Sequence, residues 1–226
     1  MDLSLVILGI VLIFVLYYFL NQSGTDVLSN KLDLSIKQPN IGIKDIQEPS
    51  SRKYSYEMWI YVFNFDGNGE YIISRKSATA TATSDIKNIG IKLDSSAPKL
   101  ILEYTTKSGN SVPVTITDNF PLQTWVHLIV SVDDIYVDTY MNGKLIKSIQ
   151  DKDIDSPDSN APIVYGTPKC YLAKLSRSVS PTDPQTAWDK YSAGNGENPM
   201  AKYLSSFGLT MTLQKNNQDY SKVSLF

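Results

Sequence analysis

The sequence predicts an all-β protein: a two-sheet antiparallel sandwich with one short helix, preceded by a separate transmembrane helix. Three observations carry that expectation. From residue 53 onward, short runs rich in β-branched and aromatic residues alternate with turn residues. No helical period sustains itself before Pro184, and no strand–helix alternation suggests a parallel sheet. The first twenty residues, by contrast, are almost entirely apolar.

The apolar run opens on Leu3 and closes on Leu20 without a charge. As a helix it would be about 27 Å long, just enough to cross a bilayer. Tyr17, Tyr18 and Phe19 stand at its C-terminal edge, where aromatic rings favour the headgroup level. Met1-Asp2 supplies no basic n-region and no small-x-small cleavage site follows, so an uncleaved anchor over residues 1–22 fits better than a secretory signal. Flanking charge assigns no orientation, because only Lys31 and Lys37 follow the span. The sequon Asn21-Gln22-Ser23 lies too close to the membrane for a glycosylating enzyme.

Residues 23–52 read as an extended spacer with Pro39 and Pro49; its one alternating stretch, Leu32, Leu34 and Ile36, could add a strand to a sheet. Strands are then expected over residues 54–63, 71–75, 89–93, 100–106, 112–117, 125–132, 135–141, 144–149, 171–175 and 207–213. Asn142-Gly143 between two such runs predicts a two-residue type I′ hairpin, since both central positions need positive φ. Asp183 as N-cap, Pro184 at the first helical position and Gly194 beyond the end frame a short helix. Residues 53–194 form the expected sandwich, and residues 195–226 a β-tail completing or extending it. The small-residue stretch 77–84 reads as a flexible or partner-matching loop.

Composition excludes several functions. With 23 acidic and 21 basic residues, a net charge of −2 and no Lys/Arg block, the chain has no electrostatic footprint for nucleic acid. Its single cysteine, Cys170, excludes an intramolecular disulfide framework and a four-cysteine zinc site, and favours a reducing compartment.

The motifs Tyr54-Ser-Tyr-Glu-Met-Trp59-Ile-Tyr, Ile72-Ile-Ser-Arg-Lys76, Trp125-Val-His127-Leu-Ile-Val-Ser-Val, Tyr140-Met-Asn142-Gly143-Lys144-Leu and Tyr171-Leu-Ala-Lys-Leu-Ser-Arg-Ser-Val-Ser180-Pro resemble, in order and spacing, the laminin G-like, concanavalin A-like jelly roll. The combination of anchor, spacer, cysteine-poor sandwich and β-tail resembles membrane-associated virion proteins of large double-stranded DNA viruses. That resemblance implies a non-enzymatic minor capsid protein tethering an internal virion membrane to a protein shell. Its partners would be the lipid bilayer, through Leu3 to Leu20, and capsid or membrane-proximal proteins. The alternative is a membrane-bound lectin-like adhesion module.

No enzyme is expected. Glycoside hydrolysis needs two carboxylates flanking the scissile bond, and the five glutamates, Glu48, Glu57, Glu70, Glu103 and Glu197, show no such pair at strand spacing. His127 reads as structural packing and Cys170 as an inert buried thiol. The cluster Asp151, Asp153, Asp155 and Asp158 fails as a calcium loop, with Ser156 and Pro162 where glycine and glutamate are required, and reads as solvated. Asp66 and Asp94 are the rim positions where the resemblance allows a calcium ligand. Neither metal nor cofactor is expected. Period-two alternation puts Tyr56, Met58 and Ile60 inward, and Glu57, Trp59 and Tyr61 on the opposite face. That aromatic and carboxylate mix suits a glycan; the competing reading packs Trp59 under a loop or the C-terminal segment.

Overall fold

The computed structural model describes residues 27–29, 31–80, 86–195, 210–215 and 218–224. The anchor segment lies outside the described residues, and among them no helix is long and apolar enough to cross a membrane.

Fourteen strands and one α-helix follow in chain order: β1 (Val27–Ser29), β2 (Leu32–Asp33), β3 (Lys53–Val62), β4 (Tyr71–Lys76), β5 (Lys87–Leu93), β6 (Leu100–Thr105), β7 (Ser111–Thr117), β8 (Trp125–Asp133), β9 (Tyr136–Met141), β10 (Lys144–Gln150), β11 (Ile163–Tyr165), β12 (Cys170–Ser178), α1 (Pro184–Ser192), β13 (Thr210–Lys215) and β14 (Gln218–Ser224). A seven-stranded sheet has the order β1-β12-β3-β8-β9-β10, with β2 also paired to β12; a five-stranded sheet runs β11-β4-β5-β6-β7. Every described pairing between named strands is antiparallel.

The inner faces meet in one apolar core. Tyr54, Tyr56, Met58, Ile60 and Val62 of β3 and Val126, Leu128, Val130 and Val132 of β8 face Ile89, Ile91 and Leu93 of β5 and Leu100, Leu102 and Tyr104 of β6. Each fully buried aliphatic side chain contributes about 1.5–3 kcal/mol. The strict alternation fixes register, because a one-residue slip would turn the whole set to solvent. The β9–β10 turn has φ of +50° at Asn142 and +74° at Gly143, as a type I′ hairpin requires.

Two segments differ from expectation. The supposed spacer joins the sandwich from Val27: β1 and β2 line up on the edge of β12, Ile41 bridges to Ile163, and Leu34, Ile41 and Ile46 enter the core. The alternation at Leu32, Leu34 and Ile36 marked one added strand, and β2 is that strand; β1 and the core positions of Ile41 and Ile46 carried too weak a period to show. The C-terminal hairpin does form, as β13 with β14, but it makes its own two-stranded sheet and pairs with neither large one.

β11 was also unexpected, being only three residues long. It brings Gly166 against β4, where a Cβ would lie 2.0 Å from the Tyr71 carbonyl oxygen. Backbone cannot rotate away as a side chain can. Gly166→Ala is therefore expected to cost about 1–3 kcal/mol by overpacking, and an unchanged midpoint in thermal unfolding would contradict this close approach. Burial, with Asp33 and Asp66 adding to it, pushes the Cys170 thiol up to about 12. Alkylation of Cys170 at neutral pH is expected only on unfolding; rapid labelling of the native chain would show the thiol to be accessible.

Candidate functional site

The outer face of the seven-stranded sheet collects the chemically versatile side chains, because alternation leaves the odd-numbered residues of β3 and β8 pointing away from the core. Cross-strand register arranges them in rows. Ser176, Glu57 and Ile129 lie side by side, then Ala173, Trp59 and His127, then Tyr171, Tyr61 and Trp125.

Helix α1 covers the first two rows. Its start is fixed by Asp183, whose Oδ1 accepts from the backbone N–H groups of Gln185 (2.9 Å) and Thr186 (3.0 Å), a cap worth about 1 kcal/mol. Just before it, Thr182 donates its N–H to Ser131 Oγ (2.8 Å), and its carbonyl accepts from the Tyr140 hydroxyl (3.2 Å). Its end is fixed by Lys174, which sits at a β12 irregularity with φ of +53° and donates to the Gly194 carbonyl at 3.1 Å. A cation there suits the negative end of the helix dipole. Ala187 packs onto Ile129 and Tyr140.

Beneath α1 lies a closed polar cluster. Glu57 is held between His127, whose Nε2 donates to Oε1 at 3.3 Å, and Lys190 of the helix, whose Nζ is 3.0 Å from Oε2; Ser176 Oγ donates to Oε2 at 3.4 Å. Burial by itself would raise the Glu57 carboxyl, but the hydrogen bond from His127 and the charge and hydrogen bond of Lys190 outweigh it and hold it at about 2. Trp59 stacks on Tyr191 at 5.8 Å and 20° and lies 4.9 Å from His127. Ser176, His127 and Glu57 are the residue types of a hydrolytic triad, but Ser176 bonds the carboxylate instead of the imidazole, so the hydroxyl–imidazole contact of a triad is not formed.

Of the expected glycan face, then, Glu57 and Trp59 are buried under α1, and Tyr61 alone remains partly open. The sequence showed that Trp59 faced outward; that a helix would land on it depends on tertiary packing. The residues sequence reasoning missed are Tyr61's row partners, Trp125 and Tyr171. Tyr61 lies 5.4 Å from Trp125 and 6.1 Å from Tyr171, and Phe63 lies 5.0 Å from Tyr171. Pairing β3 with β8 and β12 in register would have found them.

Glu103 stands on the outer face of the other sheet, bound to Lys92 (2.8 Å), the Tyr71 hydroxyl (2.9 Å) and Ser111. Two stacked sheets about 10 Å apart separate it from Glu57, so these two carboxylates do not flank one bond. The aspartate cluster is less solvated than expected. Asp155 is buried and accepts from Ser77 Oγ and from the Thr79 N–H and hydroxyl, tying down the start of the small-residue loop. Asp66 and Asp94 line one shallow depression, each engaged by its own loop, through Asn68 and Ser96 respectively. Among the described residues no three His, Cys, Asp or Glu side chains gather as a metal site.

Glu57→Gln is expected to destabilise the fold at pH 7 by about 1–3 kcal/mol, leaving the Lys190 ammonium without its counter-charge. A carboxyl whose folded value is depressed stabilises above its unfolded value and loses that contribution as pH falls through the folded one. The wild-type advantage should thus shrink between about 4.5 and about 2. A pH-independent difference in denaturation midpoints would contradict this electrostatic account.

A sequence-family model of the concanavalin A-like lectin/glucanases superfamily matches residues 37–171. No curated protein matches the chain in sequence. The fold is similar to the receptor binding domain of botulinum neurotoxin D (TM-score 0.56, 13% identity, covering 73% of this chain and 44% of that one). It is also similar to the binding domain of Paraclostridial Mosquitocidal Protein 1 (0.54, 13%, 72% and 42%). A third likeness is Trypanosoma rangeli sialidase, in complex with a difluoro-KDN (0.51, 10%, 65% and 24%). At these identities the likeness is one of fold, and the chain spans less than half the length of each of these structures. The family match covers more than half of the sequence: the chain belongs to the concanavalin A-like lectin/glucanases superfamily.

Proposed function

We propose that the chain is a non-catalytic, lectin-like attachment domain, held to a bilayer by residues 3–20 and engaging a glycan-bearing partner through the outer face of its larger sheet. The observation that carries this reading is the division of that face. Its titratable groups are neutralised and closed over by α1, while its aromatic row stays open. A face with buried charges and partly exposed rings is suited to binding more than to proton transfer. The carboxylates of Glu57 and Glu103 on opposite outer faces support the same view.

A second reading is favoured by the N-terminal sequence. Only residues 21–26 separate the apolar run from β1, a reach of about 20 Å when extended. If residues 3–20 span a membrane, the sandwich stands against that membrane. This suits a minor capsid protein that holds an internal virion membrane to its shell through protein contacts.

The test is to present the full chain, in lipid nanodiscs, to a printed array of neutral and sialylated oligosaccharides, and to cross-link it in its native membrane with identification by mass spectrometry. Saturable retention, competed by the free sugar, is the expected result. No retention, together with reproducible cross-links to a few shell proteins, would replace the glycan with a protein partner.

A further inference from the structure

We infer that the row Tyr171, Tyr61 and Trp125 is the carbohydrate subsite, a platform for the apolar face of a pyranose ring. The inference rests on the glycan reading above and assigns it a place.

The geometry is set by the sheet. Tyr171 of β12 pairs with Tyr61 of β3, which pairs with Trp125 of β8, so three aromatic residues occupy adjacent positions across three strands. Directly opposed residues have Cβ atoms about 4.5–5.5 Å apart, which makes the row continuous. Phe63 extends it beside Tyr171. All four are half-buried, so their rings are anchored while part of each stays accessible.

The polar ends of the row are unused. Among the described residues, neither the Tyr61 nor the Tyr171 hydroxyl makes a hydrogen bond, nor does the Trp125 indole N–H, and none of the three is a buried orphan. Four tyrosine hydroxyls elsewhere in the sandwich are engaged: Tyr54 donates to Asn88, Tyr71 to Glu103, Tyr104 to Asp151 and Tyr140 to Thr182, while that of Tyr56 is buried in the core and out of reach of a ligand. The ammonium of Lys31 lies over the rings of Trp125 and Tyr171, 5.8 and 5.6 Å from their centres, a cation–π contact on an exposed side chain that a bound sugar would displace, leaving the ammonium as a donor to its hydroxyls. Ring faces that accept C–H groups, bordered by free hydroxyl, indole and ammonium donors, complement a sugar, with its apolar ring face and its rim of hydroxyls. A purely apolar partner would leave these donors unpaired, which costs free energy on burial.

The row also differs from the neighbouring rings. Trp59 is sealed against Tyr191 and His127, and its indole N–H is buried without a partner. Helix α1 ends the platform on that side, limiting the subsite to the open end of the sheet.

The experiment uses the full chain in nanodiscs, titrated with the oligosaccharide retained most strongly on the array. Trp125→Ala is expected to weaken binding about tenfold or more, a change of about 1.4 kcal/mol. The hydroxyl deletions Tyr61→Phe and Tyr171→Phe, which keep the rings and the packing, are expected to weaken it several-fold together. Trp188→Ala, an exposed aromatic on α1 away from the row, should leave it unchanged. Circular dichroism and the thermal midpoint report on folding, and the two Tyr→Phe changes decide the matter if Trp125→Ala unfolds. Wild-type affinity in both Trp125→Ala and the double phenylalanine variant overturns the subsite and leaves the glycan reading intact. Absence of any glycan binding by the wild-type chain overturns both.

Discussion

A buried carboxylate on the outside of a sheet is the constraint from which the site's architecture follows. Glu57 faces away from the core, yet it is almost wholly shielded from water. An ionised carboxylate in that position needs opposite charge and donors. His127 provides one contact from the adjacent strand, but the cation, Lys190, belongs to a helix that must lie across the sheet to deliver it. The irregular course of β12 at Lys174 and the Asp183 cap then place the two ends of that helix. One charge thereby decides which half of the outer face is closed and which is open.

That arrangement separates two kinds of side chain on the outer faces of the sandwich. Residues suited to acid–base work are used up structurally: Glu57 with Lys190 and His127 on one sheet, Glu103 with Lys92 and Tyr71 on the other. The aromatic residues divide along the same line. Trp59 and Tyr191 stack on each other inside the covered half, and Tyr61, Trp125 and Tyr171 remain at the open end. The two outer faces thus differ in kind: ion-paired carboxylates on both, and an aromatic row on the larger sheet alone.

Much of the sandwich was legible from alternation alone. The inward residues of β3, the Asn142-Gly143 turn and the Asp183-Pro184 helix start each rest on local chemistry that the sequence displays. What was not legible depended on distant partners. β1 and β11 are too short to show a period and exist because β12 and β4 offer them an edge, and the alternation around β2 did not say which edge it would join. Asp155 reads as one more surface aspartate until Ser77 and Thr79 are brought to it from seventy-odd residues away. Trp59 and Tyr61 sit two residues apart on one face and look equivalent in sequence, yet α1 covers the first and stops short of the second. Trp125 and Tyr171 joined the site only when strand order was known, since no linear spacing links them to Tyr61.

The placement of β1 and β2 on the edge of β12 has a mechanical meaning. Tension arriving along the chain from its N-terminal side reaches the three residues of β1 first, then the two of β2, and then Leu34, which is fully buried in the core. That outermost ladder is short, two and three residues long, and so holds by few backbone hydrogen bonds compared with β3 or β8. Once it has peeled away, β12 presents unpaired backbone donors and acceptors beside Ser176, a template that another strand can occupy. The edge of β12 is thus covered by the chain's own N-terminal strands, which keeps those backbone groups from pairing with another chain.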